Sequence, residues 1–333
     1  MFTDRALNPE FLAQLWPGSF RIVQSPAMRY LAWEQAWLPF ACARERVEVL
    51  HAPANYGLPF VGGRPQVLTL HDAIDLAFEP AQGRTGLGPV INKASFWAAR
   101  RSARRVITVS AHAKADLVKY YSIPAPKVVV IHEASDLHER TISASAEQSL
   151  FNELRINGDF VLYVGGFERR KNVEFLIDAF RAASLESTSL VLVGSTPPPA
   201  LLNKVRHAEG SIRVMGFLPD ATLAALYRRA LAFVYPSLYE GFGLQLCEAM
   251  SFGCPTLASN ATSLPEVLGD GGDTFDPTRA DALAQQLRRV KHDLGYRQQL
   301  SARASLRTND FSWRNTAKAT YEVYRSCAAG AAG

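Results

Sequence analysis

The chain has few features that would set it apart from an ordinary folded protein. Its four cysteines lack the spacing of a metal site and predict reduced thiols in a cytosolic protein; they are Cys42, Cys247, Cys254 and Cys327. The longest apolar runs are strand-length, well short of a membrane span. Met1 is not followed by the basic and apolar regions of a secretory signal. We therefore expect a cytoplasmic protein, either free or peripheral on the inner face of a membrane.

Low-complexity sequence and strong charge bias are also scarce. The 333 residues are 48% hydrophobic and 20% charged, a globular composition that is long enough for two domains. The net charge of +5 suits a partner that carries phosphates, whether nucleotide, lipid phosphate or nucleic acid. Nucleic acid is not the expected partner, because no binding motif is found and the basic residues cluster in one segment alone, Lys93–Arg105.

Strand and helix patterns alternate through residues 1–150, which predicts a parallel α/β domain. The predicted strands are Phe20–Gln24, Val47–His51, Gln66–Leu70, Val106–Val109 and Lys127–Ile131. The predicted helices are Met28–Arg46, Pro89–Arg105 and Ala111–Tyr121, the last capped by Ser110. Ala134–Asn157 is polar and rich in serine, and we interpret it as the connection between domains.

A second alternating series predicts another α/β domain over residues 151–312. Its predicted strands are Phe160–Val164, Leu190–Val193, Ile212–Met215, Leu231–Tyr235 and Pro255–Ala258. An amphipathic helix within residues 313–330 is expected to cross back to the first domain. Two doubly wound halves would bind ligands at the carboxyl ends of their strands, facing a cleft between the domains.

A strand, a glycine loop and a helix follow one another in Tyr235–Met250, with Gly241 and Gly243 in the loop. This order directs backbone N–H groups and a helix N-terminus at an anion, normally a phosphate. Glu240 and Glu248 flank the loop. Because carboxylates do not bind phosphate, we expect them to bind groups attached to it, such as sugar hydroxyls. The alternative is an ordinary turn with two solvated glutamates.

Two more strand ends carry reactive groups. His71 ends a strand of the first half, and a basic turn with Arg170 and Lys171 follows the first strand of the second half. The guanidinium fork and the ammonium point charge suit a diphosphate and would neutralise it as a leaving group. The alternative for His71 is a core or loop histidine whose hydrogen bonds are all made within the protein. The alternative for Arg170 and Lys171 is a basic face exposed to solvent. Cations in the first turn of a helix oppose its dipole, however, which favours a bound anion.

Three segments carry a resemblance to a known family. They are Phe160–Val173 with its Arg-Lys-Asn turn, Pro236–Met250 with a Glu-x7-Glu element, and Leu264–Gly272. Together they resemble the retaining glycosyltransferases of family 4, over nearly all of residues 160–327 and more thinly at Leu70–Asp72 and Val109–Ser110. The resemblance implies the GT-B architecture, an α/β fold of two Rossmann-like, doubly wound domains that face each other across a cleft.

The resemblance also implies roles for single residues. Glu248 would bind the ribose hydroxyls, Glu240 would face the donor sugar, and His71 would contact that sugar near the reacting carbon. Arg170 and Lys171 would hold the diphosphate. The backbone around the phosphate would come from Gly241, Phe242, Gly243 and Leu244, and the base would pack near Gly216 and Phe217.

The implied activity is transfer of a hexose, with retention, from a nucleotide-diphosphate sugar to a glycan or lipid-linked acceptor in bacterial surface polysaccharide synthesis. GDP-mannose is the expected donor on overall likeness. No cofactor or metal ion is expected, because Arg170 and Lys171 act on the diphosphate; Asp72 and Asp75 would then cap their turn. Two alternatives stay open: another two-Rossmann enzyme, such as a nucleotide-sugar epimerase or a phosphorylase, and a catalytically weak nucleotide-sugar-binding partner of another transferase.

Two features of the first half bear on the acceptor. Family members begin with a strand, a glycine loop and a helix, whereas Phe20–Gln24 looks like a later strand, so the first unit is expected to be missing. The segment Lys93–Arg105 interleaves arginines with Phe96 and Trp97. It could lie on anionic lipid, or pack its aromatic rings inward, which is the interpretation that we favour.

Overall fold

The computed structural model describes residues 1–4, 7, 20–55, 57–60, 63–78, 101–140, 142–206 and 211–329. Two parallel sheets with covering helices dominate these residues, one sheet in each half of the chain. The alternation of strands and helices that the sequence predicted is therefore confirmed.

The first half is built on a four-stranded sheet in the order β3-β4-β5-β6, with a separate pair of strands, β1 and β2. The strands are β1 Phe2–Thr3, β2 Val23–Gln24, β3 Leu50–Ala52, β4 Gln66–Thr69, β5 Ala103–Thr108 and β6 Val128–Val130. The helical segments are Tyr30–Ala32, a π-type turn Trp33–Trp37, Leu38–Arg44, Ile74–Ala77, Ala111–Tyr121, and the 3-10 turns Ala125–Lys127 and Leu137–Glu139.

The second half is built on a six-stranded sheet in the order β12-β11-β10-β7-β8-β9. The strands are β7 Asp159–Val164, β8 Thr188–Val193, β9 Ile212–Met215, β10 Ala232–Tyr235, β11 Thr256–Ser259 and β12 Asp273–Phe275. The helices are Ala144–Glu153, Val173–Ala183, Pro199–Arg206, Asp220–Arg229, Leu244–Ser251, Leu264–Leu268, Ala280–His292, Leu294–Arg307 and Trp313–Ala329, with 3-10 turns at Arg169–Lys171, Gly269–Gly271 and Thr308–Asp310.

The apolar patterns explain why these elements form. Val161, Leu162 and Tyr163 of β7 are all fully buried, as expected of a strand covered by helices on both faces. The helix Val173–Ala183 buries Val173, Leu176, Ile177 and Phe180, the spacing of a single helical stripe. The core of the second half therefore lies between this sheet and its helices.

Ser110 and Ser122 set the ends of the helix Ala111–Tyr121. The Ser110 hydroxyl accepts a hydrogen bond from the Ala113 backbone N–H at 2.9 Å, as the sequence predicted for an N-cap. Ser122 ends the helix in the left-handed conformation, with φ 52°. The helix therefore starts at the carboxyl end of β5, where its N-terminus faces the second half of the chain.

Two local predictions are wrong. Residues 103–105, predicted to end a helix, belong to β5, because Ala103 and Arg105 pair with the backbone of β4. Because β5 lies inside the sheet, hydrogen bonding of its backbone to β4 outweighs the helix propensity of alanine and arginine. Of the rest of that prediction, residues 101–102 are helical, and residues 89–100 lie outside the described residues. The helix Ala144–Glu153 stands within the stretch interpreted as an irregular connection, where Ser143 caps it and Phe151 anchors it in the core.

The start of the chain also differs from the expectation. A two-residue strand, Phe2–Thr3, runs parallel to Val23–Gln24, where the sequence predicted no strand before residue 20. The predicted strand Phe20–Gln24 is shortened to its last two residues. This pair stands apart from the four-stranded sheet.

The last helix, Trp313–Ala329, packs against the first sheet. Val323 and Cys327 are buried in a cluster with residues of β4 and β5. The Tyr324 hydroxyl lies 2.6 Å from His51 Nδ1. The helix thus contacts the half of the chain that is distant in sequence. Within the described part of the chain, no helix has both the length and the apolar character to cross a bilayer.

Candidate active site

The candidate site lies where β7 and β10 end. These strands are neighbours, with Ala232 opposite Val161, so the turns that follow them lie side by side. The backbone N–H of Leu238 donates to the Arg170 carbonyl at 2.7 Å, which joins the two turns directly. The sheet order therefore brings the basic turn after β7 to the glycine loop after β10.

Glu240 pairs with both cations of the basic turn. Arg170 Nη1 donates to Glu240 Oε2 at 2.9 Å, and Lys171 Nζ donates to Glu240 Oε1 at 2.7 Å. Lys171 and Glu240 are both buried. Burial lowers the pKa of Lys171, and the Glu240 carboxylate opposes that change. Burial would likewise lower the pKa of Arg170, but Glu240, together with Glu168 and Tyr235, more than compensates and raises it. The three groups that the sequence singled out therefore form one charged cluster.

Tyr235 extends this cluster inward from the end of β10. Lys171 Nζ donates to the Tyr235 hydroxyl at 3.0 Å, and that hydroxyl donates to Gln245 Oε1 at 2.8 Å. Burial raises the pKa of Tyr235 well above its usual range, so the group is a neutral phenol. The ammonium of Lys171 thus has a fixed position before any ligand binds.

Glu248 stands apart from that cluster, on the helix Leu244–Ser251. Its Oε2 accepts a hydrogen bond of 2.8 Å from the hydroxyl of Tyr227, which is buried against the ring of Phe252. Burial raises the pKa of Glu248, and the Tyr227 hydrogen bond partly offsets that rise. The carboxylate is therefore held in one orientation, separate from Glu240.

The glycine loop is held rigidly between the two halves. The Ser110 hydroxyl donates to the Gly241 carbonyl at 2.7 Å across the cleft. A Cβ on Gly241 would lie 2.7 Å from the Asp72 Cβ, so only glycine allows this approach. Gly243 has a φ of 104° and opens the helix that carries Glu248. Asp72 also caps its turn as predicted, with Oδ1 accepting from the Ile74 N–H at 3.0 Å.

The side chains of Phe242 and Phe217 face different surroundings. Phe242 is buried between the rings of His132 and Phe311, so its side chain is not available to a ligand. Phe217 is 87% exposed at the carboxyl end of β9, and a Cβ on Gly216 would meet no atom within 4 Å. The structure therefore leaves an open aromatic face where a base was expected to pack, two strands away from β7.

His71 follows β4 on the opposite side of the cleft. Its Nε2 lies 3.4 Å from Glu133 Oε1, and its backbone N–H donates to Asn55 Oδ1 at 3.2 Å. A Cβ on Gly241 would lie 3.1 Å from the His71 carbonyl oxygen. The backbone of the predicted histidine thus comes close to the glycine loop of the other half.

Glu266 joins the halves through the helix Ala111–Tyr121. Both of its carboxylate oxygens accept from the Ala111 N–H at 2.9 Å, and Oε2 also accepts from the His112 N–H at 3.4 Å. His132 Nε2 lies 2.9 Å from Oε1. Burial alone would raise the pKa of Glu266, but these hydrogen bonds lower it below its usual value. An ionised carboxylate of one half therefore occupies a helix N-terminus of the other.

Tyr239 makes a second contact across the cleft, one residue before Glu240. Its hydroxyl donates to Asp116 Oδ2, and its ring packs edge-on against His112. Burial and the Asp116 contact raise the pKa of Tyr239 well above its usual range. The loop that carries Glu240 is thus anchored to the first half as well as to the second.

Sequence reasoning missed four of these groups: Tyr227, Tyr235, Asp116 and Glu266. Glu266 lies inside one of the segments that resemble family 4, and Tyr235 directly precedes another, which was an available signal. Tyr227 and Asp116 lie outside them. Their roles depend on partners far away in the sequence, which no local pattern reveals.

Each half of the chain matches a known family model. Residues 2–139 match the family model described as Glycosyltransferase Family 4. Residues 146–307 match the model described as Glycosyl transferases group 1. Together the two matches cover most of the chain, including His71 in the first and Arg170, Lys171, Glu240 and Glu248 in the second.

Curated relatives agree with the family models. The chain is 35% identical over 233 residues to the O-antigen chain mannosyltransferase B of Escherichia coli, covering 67% of this chain and 61% of that protein. It is also 35% identical to the serotype-specific mannosyltransferase WbdA of Escherichia coli, covering 65% of this chain and 28% of that protein. The matches thus span less than two thirds of the length of either relative.

Solved structures establish the architecture. HepE of Anabaena, solved in complex with UDP-glucose, matches with a TM-score of 0.73 at 20% identity, covering 92% of this chain and 85% of that one. WaaG, a glycosyltransferase involved in lipopolysaccharide biosynthesis, matches with a TM-score of 0.67 at 19% identity, covering 91% and 86%. The fold is GT-B, with two Rossmann-like domains across a cleft, as the sequence predicted. The chain belongs to the family 4-type glycosyltransferases.

Proposed function

We propose that this protein transfers mannose, with retention, from GDP-mannose to a glycan or lipid-linked sugar during synthesis of a bacterial surface polysaccharide. The observation that carries the proposal is the buried cluster of Arg170, Lys171 and Glu240 beside a glycine loop. Two cations and a carboxylate at the ends of two neighbouring strands suit a ligand with both an anionic and a hydroxylated part.

Arg170 and Lys171 act on the leaving group. When the sugar–phosphate bond breaks, negative charge grows on the departing nucleoside diphosphate. Cations that already point at this position stabilise the charge without first having to reorganise. Tyr235 contributes by holding the ammonium of Lys171 in place.

The two glutamates act on the two sugars of the donor. Glu240 lies next to the cations and binds hydroxyls of the sugar that is transferred. Glu248, held by Tyr227, binds the ribose hydroxyls that leave with the diphosphate. The exposed ring of Phe217 offers a surface for the base. His71 faces the transferred sugar from the first domain.

Retention follows from attack on the same face from which the diphosphate leaves, with a diphosphate oxygen taking the proton of the acceptor hydroxyl. No enzyme nucleophile is required for this course. No metal ion is required either, because Arg170 and Lys171 neutralise the diphosphate directly. The acceptor meets the reacting carbon from the side of the first domain, near His71.

Mannose is supported by the curated relatives, two of which are named mannosyltransferases of Escherichia coli. One of them is named for the O-antigen chain, which supports a surface polysaccharide as the product. An acceptor of this kind is carried on a lipid, so contact with the inner face of a membrane belongs to the proposal. The segment considered for such contact, Lys93–Arg105, lies largely outside the described residues.

Binding of the leaving group gives the first test. A ligand that binds the folded state at a hundred times its Kd stabilises it by about 2.7 kcal/mol. We therefore expect GDP to raise the melting temperature more than UDP, dTDP or ADP does. Lys171→Ala should abolish the rise, whereas Lys204→Ala should keep it, because Lys204 pairs with Asp178 on the surface. No rise with any of the four nucleotides would contradict the proposal.

Transfer itself gives the second test. A panel of nucleotide sugars with octyl α-mannoside as acceptor should give a mannosylated product from GDP-mannose alone, in EDTA, as detected by mass spectrometry. NMR of the product should show the α configuration of the donor. Isomerised donor without acceptor would indicate an epimerase instead, and binding without any transfer would indicate a nucleotide-sugar-binding partner protein.

A further inference from the structure

Glu133 has no role in the function proposed above, yet its carboxylate faces a residue that does. It follows β6, whereas His71 follows β4, and the two strands flank β5 in the first sheet. Adjacent strands lie about 4.8 Å apart, so the two side chains must turn towards each other to meet across β5. They do so, with Glu133 Oε1 at 3.4 Å from His71 Nε2.

The backbone of His71 is fixed independently of its ring. Its N–H donates to Asn55 Oδ1 at 3.2 Å, and its carbonyl accepts from the Thr108 hydroxyl at 3.4 Å. These bonds set where the residue stands but leave rotation of the imidazole undetermined. Glu133 is the carboxylate within ion-pair distance of that ring.

The pair lies at the cleft and not in the core. The side chains of His71 and Glu133 are 35% and 27% exposed, and the His71 carbonyl lies against Gly241. The charged groups that act on Glu133 are His71 and Asp72. Burial raises the pKa of Glu133, His71 lowers it, and Asp72 raises it. A carboxylate placed at such cost to its ionised form, beside a cleft histidine, is typical of functional positions.

We propose that Glu133 is a positioning residue for His71. Its carboxylate accepts a hydrogen bond from the Nε2–H group and thereby fixes the ring orientation and the tautomer of the imidazole. Nδ1 is then an acceptor, directed at a hydroxyl of the transferred sugar. This inference rests on the proposed function for the sugar contact, but the pairing of Glu133 with His71 does not.

The separation of 3.4 Å is longer than a strong hydrogen bond. Catalytic hydrogen bonds are often long without substrate and shorten in the reacting complex. The bond between Glu133 and His71 is therefore expected to tighten when donor fills the cleft.

The tautomer can be measured directly. The chain has seven histidines, so the side-chain 15N spectrum of the uniformly labelled protein is simple, and His71→Gln assigns the signals of interest. We expect His71 to carry its proton on Nε2 in the parent and in Glu133→Gln, which keeps an acceptor oxygen. Glu133→Leu should give a mixture of tautomers. A proton on Nδ1 in the parent, or an unchanged tautomer in Glu133→Leu, would overturn the inference.

Kinetics with GDP-mannose and octyl α-mannoside test the consequence. Glu133→Leu should lower kcat about tenfold, a loss below the usual range for removal of an acid or base itself. The KM for GDP-mannose should change little, because nucleotide and diphosphate bind to the other domain. Glu133→Gln should keep most of the activity, and Glu139→Leu, at an exposed position, should keep all of it.

The double variant separates positioning from general damage. If Glu133 acts through His71, adding Glu133→Leu to His71→Gln should cause no further loss of kcat. Additive losses, or equal losses in the Gln and Leu variants, would overturn the inference. If no donor is turned over by the parent, the proposed function fails, while the 15N spectra still decide whether Glu133 sets the tautomer of His71.

Discussion

The two sides of the cleft differ in how their polar groups are held. On the second domain, Lys171 is buried, pairs with Glu240 and donates to Tyr235, so its position is fixed by several bonds. On the first domain, His71 stands half-exposed, and Glu133 contacts its ring at 3.4 Å. The side formed by the second domain, where the donor is proposed to bind, is thus preorganised, whereas the facing side depends on fewer contacts and on the approach of the other domain.

The largest effect is expected from breaking the preorganised side. Glu240→Ala removes the partner of two cations, and Lys171→Ala removes a cation from the proposed site of the leaving group. Each should lower transfer from GDP-mannose at least about tenfold, the scale of 1.4 kcal/mol of transition-state stabilisation. Steady-state rates of sugar transfer give the measurement.

Glu174→Ala is the matched control, since Glu174 is exposed on the helix Val173–Ala183. It should transfer at the parent rate. Parent rates in both Glu240→Ala and Lys171→Ala would show that the preorganised side of the cleft is not the reacting site.

A smaller effect is expected from separating the two sides. Gly241→Ala places a Cβ 2.7 Å from the Asp72 Cβ, and such overpacking costs about 1–3 kcal/mol, which the chain can relieve by opening the cleft. We expect transfer to fall about tenfold. The Kd for GDP, measured by calorimetry, should change much less, because the proposed GDP site lies on one side alone.

Gly63→Ala is the control for that substitution, because its added methyl group meets no atom within 4 Å and Gly63 has no role in the proposed site. Transfer should stay close to the parent rate. Equal losses of GDP affinity and of transfer in Gly241→Ala would mean that the donor side is not independent of the facing side.

The smallest effect is expected from the contact of Glu266 with the first domain. The folded state lowers the pKa of Glu266 below its usual value of 4.5, so the stability that it contributes is present above pH 4.5 and is lost as the pH falls further. Hydrogen bonds to a charged group suggest about 1.5 kcal/mol. Glu266→Gln should therefore lower the melting temperature at pH 7.

That difference in melting temperature between Glu266→Gln and the parent should shrink below pH 4.5. Glu139→Gln, at an exposed position, should melt like the parent at both pH values. A difference that stays constant from pH 7 to pH 3.5 would show that the ionised carboxylate does not join the domains.

Much of the fold could be predicted because its signals are local. The apolar run of β7, the Ser110 cap and the stripe of Val173–Ala183 each lie within a few residues. The meeting of Arg170 with Glu240 also followed, since strand ends of a parallel sheet share one edge.

The rest of the fold and of the site depends on contacts between residues that are far apart in the sequence. The sequence of Ala103–Arg105 predicts a helix, but these residues form a strand because β4 provides backbone hydrogen-bond partners. Nothing in the sequence around Tyr227 indicates that its hydroxyl donates a hydrogen bond to Glu248. Glu133 and Glu266 act on histidines 62 and 134 positions away. Such pairs are set by the packing of elements that are distant in the sequence, within one domain or across the cleft, which no periodicity encodes.

Glu266 also affects which anions the cleft can attract. The helix Ala111–Tyr121 opens towards the cleft, and an unoccupied helix N-terminus is an attractive place for phosphate. Because a carboxylate from the second domain already fills it, a diphosphate gains nothing there and is repelled by the charge. The diphosphate site proposed at Arg170 and Lys171 therefore has no competing site at this helix N-terminus.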